Sequence, residues 1–72
     1  MPTHTYEISI RWSSEDQAFL ASAPELAGCI AHGETDIEAL NNLHEAMQLW
    51  LDTAKEFGDA IPVPRNARVY AA

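Results

Sequence analysis

The sequence predicts an α+β fold: an antiparallel three-stranded meander with one long helix packed on one face, in the order β-β-β-α, with a possible short C-terminal strand. Three observations carry this. Tyr6 to Trp12 alternates between apolar and polar residues, the period of two expected of a half-buried strand. From Ile37 to Phe57, apolar residues recur at spacings of three and four, the stripe of a helix covered on one side. Between them, Gly33-Glu34-Thr35-Asp36-Ile37-Glu38 reads as a capping box. Thr35 accepts from the backbone N–H of Glu38, and the Glu38 side chain reaches back to the N–H of Thr35.

In strand one, Tyr6, Ile8, Ile10 and Trp12 share a face and Glu7 lies on the other. Ser13 to Gln17 is a polar turn. Ala18 to Ala23 reads as the returning strand, with Phe19, Ala21 and Ala23 facing the core; Pro24 ends it because proline cannot donate to a ladder. Ala27-Gly28 gives a second turn, and Cys29 to His32 a short third strand whose inward face the pattern leaves open. The helix runs from about Asp36 to Phe57, a length of roughly 33 Å. Gly58 suits the left-handed position after its end, and Pro62 and Pro64 keep it from resuming. Val69 and Tyr70 fit a short edge strand, within the chain or added to a neighbouring subunit's sheet; a frayed terminus fits equally well. The predicted core is Tyr6, Ile8, Ile10, Trp12, Phe19, Leu40, Leu43, Met47, Trp50, Leu51 and Ala54.

Seventy-two residues make one domain, 1–72. A chain of this size buries only about 60% of its unfolded surface, and small scaffolds compensate with disulfides, metals or self-association. A single cysteine, Cys29, excludes an intrachain disulfide, and no Cys/His spacing suits zinc. A homodimer or higher oligomer is therefore expected. The formal charge of -7, from 11 acidic and 4 basic residues, disfavours direct nucleic acid binding and favours a basic protein partner. No signal peptide is visible and no apolar run approaches the roughly 18 residues of a membrane span. The expected location is cytoplasmic, with no membrane contact.

The charge is patterned. Glu38, Glu45, Asp52 and Glu56 are spaced seven, seven and four apart, which aligns them opposite the apolar stripe. Leu49 falls beside that line and is expected to be exposed, so the ridge offers a protein-contact site; the plain alternative is a solvated helix face with one stray leucine. Adding the turn residues Glu15, Asp16 and Glu25 gives the candidate partner-binding set Glu15, Asp16, Glu25, Glu38, Glu45, Leu49 and Asp52, chosen by charge and exposure. Nothing resembles a catalytic constellation. His4, His32 and His44 lack a serine, cysteine or carboxylate at a triad or metal spacing. Cys29 reads as a small buried residue, Met47 and Trp50 as core. No glycine-rich phosphate loop is present. A metal-dependent nuclease would need Glu7 and the helix carboxylates to converge, and their faces diverge. The expectation is no enzyme, no cofactor and no metal.

Several segments together resemble the HicB antitoxin family. They are Tyr6 to Trp12, Ala23-Pro24-Glu25-Leu26-Ala27-Gly28-Cys29, Gly33-Glu34-Thr35 leading into Glu38-Ala39-Leu40, Glu45-Ala46, Trp50-Leu51, and Gly58 with Ile61-Pro62-Val63-Pro64. The resemblance implies a partial ribonuclease-H-like fold. It also implies a small basic mRNA-cleaving toxin of the HicA type as partner, whose RNA-binding surface the antitoxin covers. Departures are visible: Glu15-Asp16-Gln17-Ala18 lacks the usual turn glycine, and Glu25 stands where aspartate is commoner. The chain stops at Ala72 without the DNA-binding domain of many members, so operator binding is not carried over. The alternative function is a solitary homo-oligomeric module of the same fold.

Overall fold

A computed structural model describes residues 6–62. The order is β1 (Ser9–Ser13), β2 (Ala18–Ser22), β3 (Ile30–Gly33) and α1 (Asp36–Glu56). The strands form one antiparallel sheet in the order β1-β2-β3. The helix packs mainly on β3 and β2 and touches β1 least. This is the expected α+β meander with one helix. The suggested strand at Val69 and Tyr70 lies outside the described residues, as does His4.

The first turn needs a left-handed residue, and Gln17 supplies it with φ 53° in place of glycine. The Ser13 hydroxyl donates to Asp16 Oδ2 at 3.0 Å and accepts from the Asp16 N–H at 3.3 Å; the Gln17 amide donates to the Ser14 carbonyl at 2.6 Å. The second connection is tied by backbone bonds: Leu26 N–H to Ala23 O, Cys29 N–H to Leu26 O and Ala23 N–H to Cys29 O. These turn Leu26 inward until it is 1% exposed. Gly28 takes φ 74° between them.

The helix ends follow local chemistry. Thr35 is the N-cap, and its Oγ1 accepts from Glu38 N–H at 3.0 Å. The reciprocal half of the box differs from expectation: Glu38 Oε1 accepts from the N–H of Glu34 at 2.7 Å, one residue earlier than Thr35. At the other end Gly58, at φ 71°, donates to Lys55 O and Asp59 donates to Ala54 O. That pair of bonds is the Schellman arrangement, which satisfies carbonyls the helix leaves orphaned.

The buried row of α1 is Ala39, Leu43, Met47, Leu51 and Ala54. It meets Tyr6, Ala21, Ala23, Leu26, Cys29 and Ala31. Alanines recur on both sides, so the helix lies close to the sheet. Closest of all is Gly33, where a Cβ would stand 2.3 Å from the backbone nitrogen of Ala39.

Two core expectations fail. Ile10 and Trp12 are 39% and 51% exposed, although they lie on the helix side of the sheet opposite Ala21 and Phe19. The alternation assigned their face correctly; the helix packs mainly over β3 and β2 and covers little of β1. Ile37 and Phe57, placed on the stripe, are exposed as well: Ile37 points about 100° away from the middle of the buried row, and Phe57 is the C-cap after the last helical residue. Ile8, Phe19 and Trp50 are half-buried against the core, and Leu40 is half-buried on the helix. Leu20, absent from the expected core, is buried on the opposite face of the sheet with Arg11 and His32 as its ladder neighbours. Stems of such long side chains can shield an apolar neighbour without burying their polar ends.

Candidate protein-binding surface

The buried row fixes what α1 presents to solvent. Since Ala39, Leu43, Met47, Leu51 and Ala54 face the sheet, Glu38, Glu45, Asp52 and Glu56 fall on the opposite side, and all four are exposed. Leu49 stands beside them at 67% exposure. Asp52 accepts from Gln48 Nε2 at 3.0 Å, which steadies its carboxylate along the helix. Glu38 is already engaged as the cap of Glu34. The ridge is therefore a row of carboxylates one to two turns apart with one large apolar side chain beside it.

The structure divides the remaining expected contacts between two ends of the sheet. Glu15 and Asp16 lie in the β1–β2 turn, both exposed. The Gly33 end of β3 reaches the same end of the sheet, since Gly33 pairs with Phe19, so the helix N-terminus starts there. That brings Glu34 and Asp36, which sequence reasoning left out, to the end that carries Glu15, Asp16 and Glu38. Asp36 and Glu38 occupy the first turn of α1, where the N-terminal end of a helix favours negative charge. Their exposure could have been inferred from the capping box; their grouping with the hairpin turn needed the strand register.

Glu25 lies apart, in the β2–β3 connection at the opposite end. It is half-buried and its Oε2 accepts from the N–H of Glu7 at 3.3 Å. Its charge also acts on Tyr6. Burial raises the Tyr6 phenol above its ordinary 10.0, and the nearby Glu25 carboxylate raises it further. The Tyr6 hydroxyl donates to the carbonyl of Pro62. Glu25 is thus tied to Glu7 and Tyr6 at the end of the sheet away from the β1–β2 turn.

The other candidates are structural. Cys29 is 6% exposed, and burial raises its thiol above the ordinary 9.0, which disfavours the thiolate a nucleophile would need. Trp50 is half-buried and its indole N–H donates to the Ala27 carbonyl at 3.0 Å, pinning the helix to the β2–β3 connection. Asn42 Nδ2 donates to the His32 carbonyl at 2.8 Å, fastening the helix along β3. Among the described residues, no group of three or more His, Cys, Asp or Glu is arranged to hold a metal ion. No helix among them is long and apolar enough to cross a membrane.

With the scaffold and its exposed acidic ridge described, the chain can be set beside known proteins. Residues 6–72 match the family described as HicB-like antitoxin of bacterial toxin-antitoxin systems. The chain belongs to that family. Two relatives of this HicB-like chain are the UPF0150 protein Ta0767 of Thermoplasma acidophilum and the UPF0150 protein ssl0259 of Synechocystis. The first is 35% identical over 48 residues, covering 67% of this chain and 70% of the relative. The second is 43% identical over 44 residues, covering 61% of this chain and 60% of the relative. In three dimensions the chain is similar to TTHA0281 from Thermus thermophilus, with a TM-score of 0.76 and 20% identity. That match covers 99% of this chain and 85% of the other, and it shows a shared fold. Membership of a HicB-like antitoxin family implies a toxin partner and a binding role.

Proposed function

We propose that this HicB-like chain is a non-catalytic binding module that neutralises a small basic mRNA-cleaving toxin of the HicA type by masking its RNA-binding face. The observation that carries the reading is the exposed ridge of Glu38, Glu45 and Asp52 with Leu49 on its flank. Aligned carboxylates attract the cationic surface a toxin uses for phosphates, and a neighbouring apolar side chain adds contact area that simple ions lack. Glu15 and Asp16 extend the field at one end of the sheet, and Glu25 contributes from the other. The same potential disfavours nucleic acid as a direct ligand. Expression in the cytoplasm, where an mRNA-cleaving toxin acts, fits this role.

The test uses the full chain and the product of a short basic open reading frame beside its gene. Replacing Glu45→Lys together with Asp52→Lys should leave circular dichroism and thermal melting nearly unchanged and weaken the complex by about tenfold or more at low salt. Unchanged affinity would remove the ridge from the interface. Cleavage of RNA by the pure protein with Mg²⁺ would instead support the nuclease alternative.

A second reading has one observation in its favour. Ile10 and Trp12 form an exposed apolar strip on the helix side of β1, the kind of surface a homo-oligomeric module without a toxin partner would bury. Light scattering of the purified chain at several concentrations reads its subunit number directly.

A further inference from the structure

The C-terminal end of α1 borders an open cavity of about 300 Å³, lined by Trp50, Thr53, Ala54 and Asp59. Two hydrogen bonds fix its walls. The Trp50 ring is half-buried and its N–H is held by the Ala27 carbonyl at 3.0 Å, so the indole does not swing in to fill the space. Asp59 reaches the rim because Gly58 turns left-handed and the Asp59 N–H returns to Ala54 O at 2.8 Å. Ala54 is buried beneath them, and Asp59 itself is exposed.

Charge, shape and size together select the occupant. The C-terminal end of a helix carries partial negative charge and favours cations. Glu56 follows Thr53 by three residues, the spacing of neighbours on one helix flank, and adds a second carboxylate to that side. Lys55, the cation of the last turn, is two residues from Thr53 and so stands about 160° round the helix from it. Trp50 supplies an indole, the ring that attracts cations best. A neutral apolar occupant would instead cover the Asp59 carboxylate and return nothing for its lost water. Of the two cationic side chains, arginine fits better. A planar guanidinium can stack on an indole while its edge N–H groups reach a carboxylate, whereas the lysine ammonium is a compact, strongly hydrated charge. Small-molecule sites run from roughly 300 to 1,000 Å³, so this volume suits one long side chain better than a whole ligand.

We infer that this cavity receives an arginine side chain from a partner protein, with the guanidinium between the Trp50 indole and the Asp59 carboxylate. Its aliphatic stem lies against Ala54 and Thr53. The site sits beside the β2–β3 connection, at the end of the sheet away from the β1–β2 turn, and uses none of Glu38, Glu45, Leu49 and Asp52. It concerns the chemistry of one side chain, so it holds or fails apart from the toxin reading.

The test titrates the full, isotope-enriched chain with acetyl-Gly-Arg-Gly-amide and follows the two tryptophan indole signals by NMR. Trp50 should shift saturably, while Trp12, near the β1–β2 turn, stays in place as the reference. The same peptide with citrulline keeps the shape without the charge and should bind at least about fivefold more weakly. Asp59→Asn keeps the N–H that closes the helix and should weaken the arginine peptide by about threefold or more. Glu34→Gln removes one charge at the far end of the sheet and should leave the affinity unchanged. A Trp50 signal that does not move, or moves equally with citrulline, would overturn the inference. So would an equal shift of Trp12, an affinity unaffected by Asp59→Asn, or equal weakening by Asp59→Asn and Glu34→Gln. Should Asp59→Asn disturb the α1 amides, the citrulline comparison on the unmodified chain decides alone.

Discussion

The β3 side of the sheet and the β1 side are built from residues of different size and packed by different means. At β3 the helix backbone approaches so closely that Gly33 has no room for a side chain, and Ala31, Ala39 and Leu43 are buried within a tenth of full exposure. At β1 the helix makes its slightest contact with the sheet, and larger side chains, Ile10 and Trp12, remain half in solvent. Size of apolar residue therefore does not decide burial here. Small residues let two elements meet, and large ones on the same face of the sheet wait for a cover that α1 does not provide.

Substitutions that act on one side and spare the other sharpen this contrast. The largest effect is expected at Gly33. Its φ is unremarkable, so the demand for glycine comes from contact alone: a Cβ would lie 2.3 Å from Ala39 N and 2.8 Å from Ala39 Cα. These are backbone atoms that no rotamer change can move aside. Gly33→Ala should cost about 3 kcal/mol or more in urea unfolding, at the upper end of what overpacking does. A loss below about 1 kcal/mol would mean that the helix can slide on β3 and that the two sides are less different than they look.

Tyr6 stands where the two sides join, and its effect should be intermediate. Tyr6→Phe keeps the buried ring but removes the hydrogen bond to Pro62, for an expected loss of about 1 kcal/mol at neutral pH. It should also change behaviour in alkali. The folded phenol holds its proton to higher pH than the unfolded one, so its contribution is fully present below the unfolded value near 10.0 and is lost as pH rises through the folded value. Stability of the parent chain should therefore fall above pH 10, and Tyr6→Phe should fall less steeply in pH-resolved denaturation. Parallel curves would show that Tyr6 is not the group responsible.

The smallest effect belongs to the β1 hairpin. Gln17 occupies a left-handed position at a cost of order 1 kcal/mol, offset in part by the bond from its amide to Ser14 O. Gln17→Gly should raise the unfolding midpoint slightly, worth a few tenths of a kcal/mol up to about 1. A destabilised variant would assign the larger role to the amide bond.

Much of this architecture is legible from residue order because each feature is local. Thr35 and Gly58 mark the helix ends through their own backbone needs, and the alternation in β1 states which residues share a face. What lies beyond sequence depends on relative placement. Nothing in Ile10 or Trp12 tells how far across the sheet a later helix will reach. Leu26 sits in a connection with no period to reveal it, and only the bonds among Ala23, Leu26 and Cys29 turn it inward. The same holds for the surface. The ridge of Glu38, Glu45 and Asp52 follows from helical spacing, whereas the gathering of Glu34 and Asp36 with the β1–β2 turn depends on Phe19 pairing with Gly33. Charge alone singles out Glu25, and only geometry shows its ties to Glu7 and Tyr6.

The seat of Ala39 against Gly33 has one more consequence. Because main chain rests on main chain at that point, the rotation of α1 about its axis is keyed by atoms every residue possesses. Drift among Leu43, Met47 and Leu51 can then alter how well the interior is filled without swinging the carboxylates on the far side to a new bearing. A lineage can lose or gain thermal robustness while the direction in which it offers its negative charge stays put.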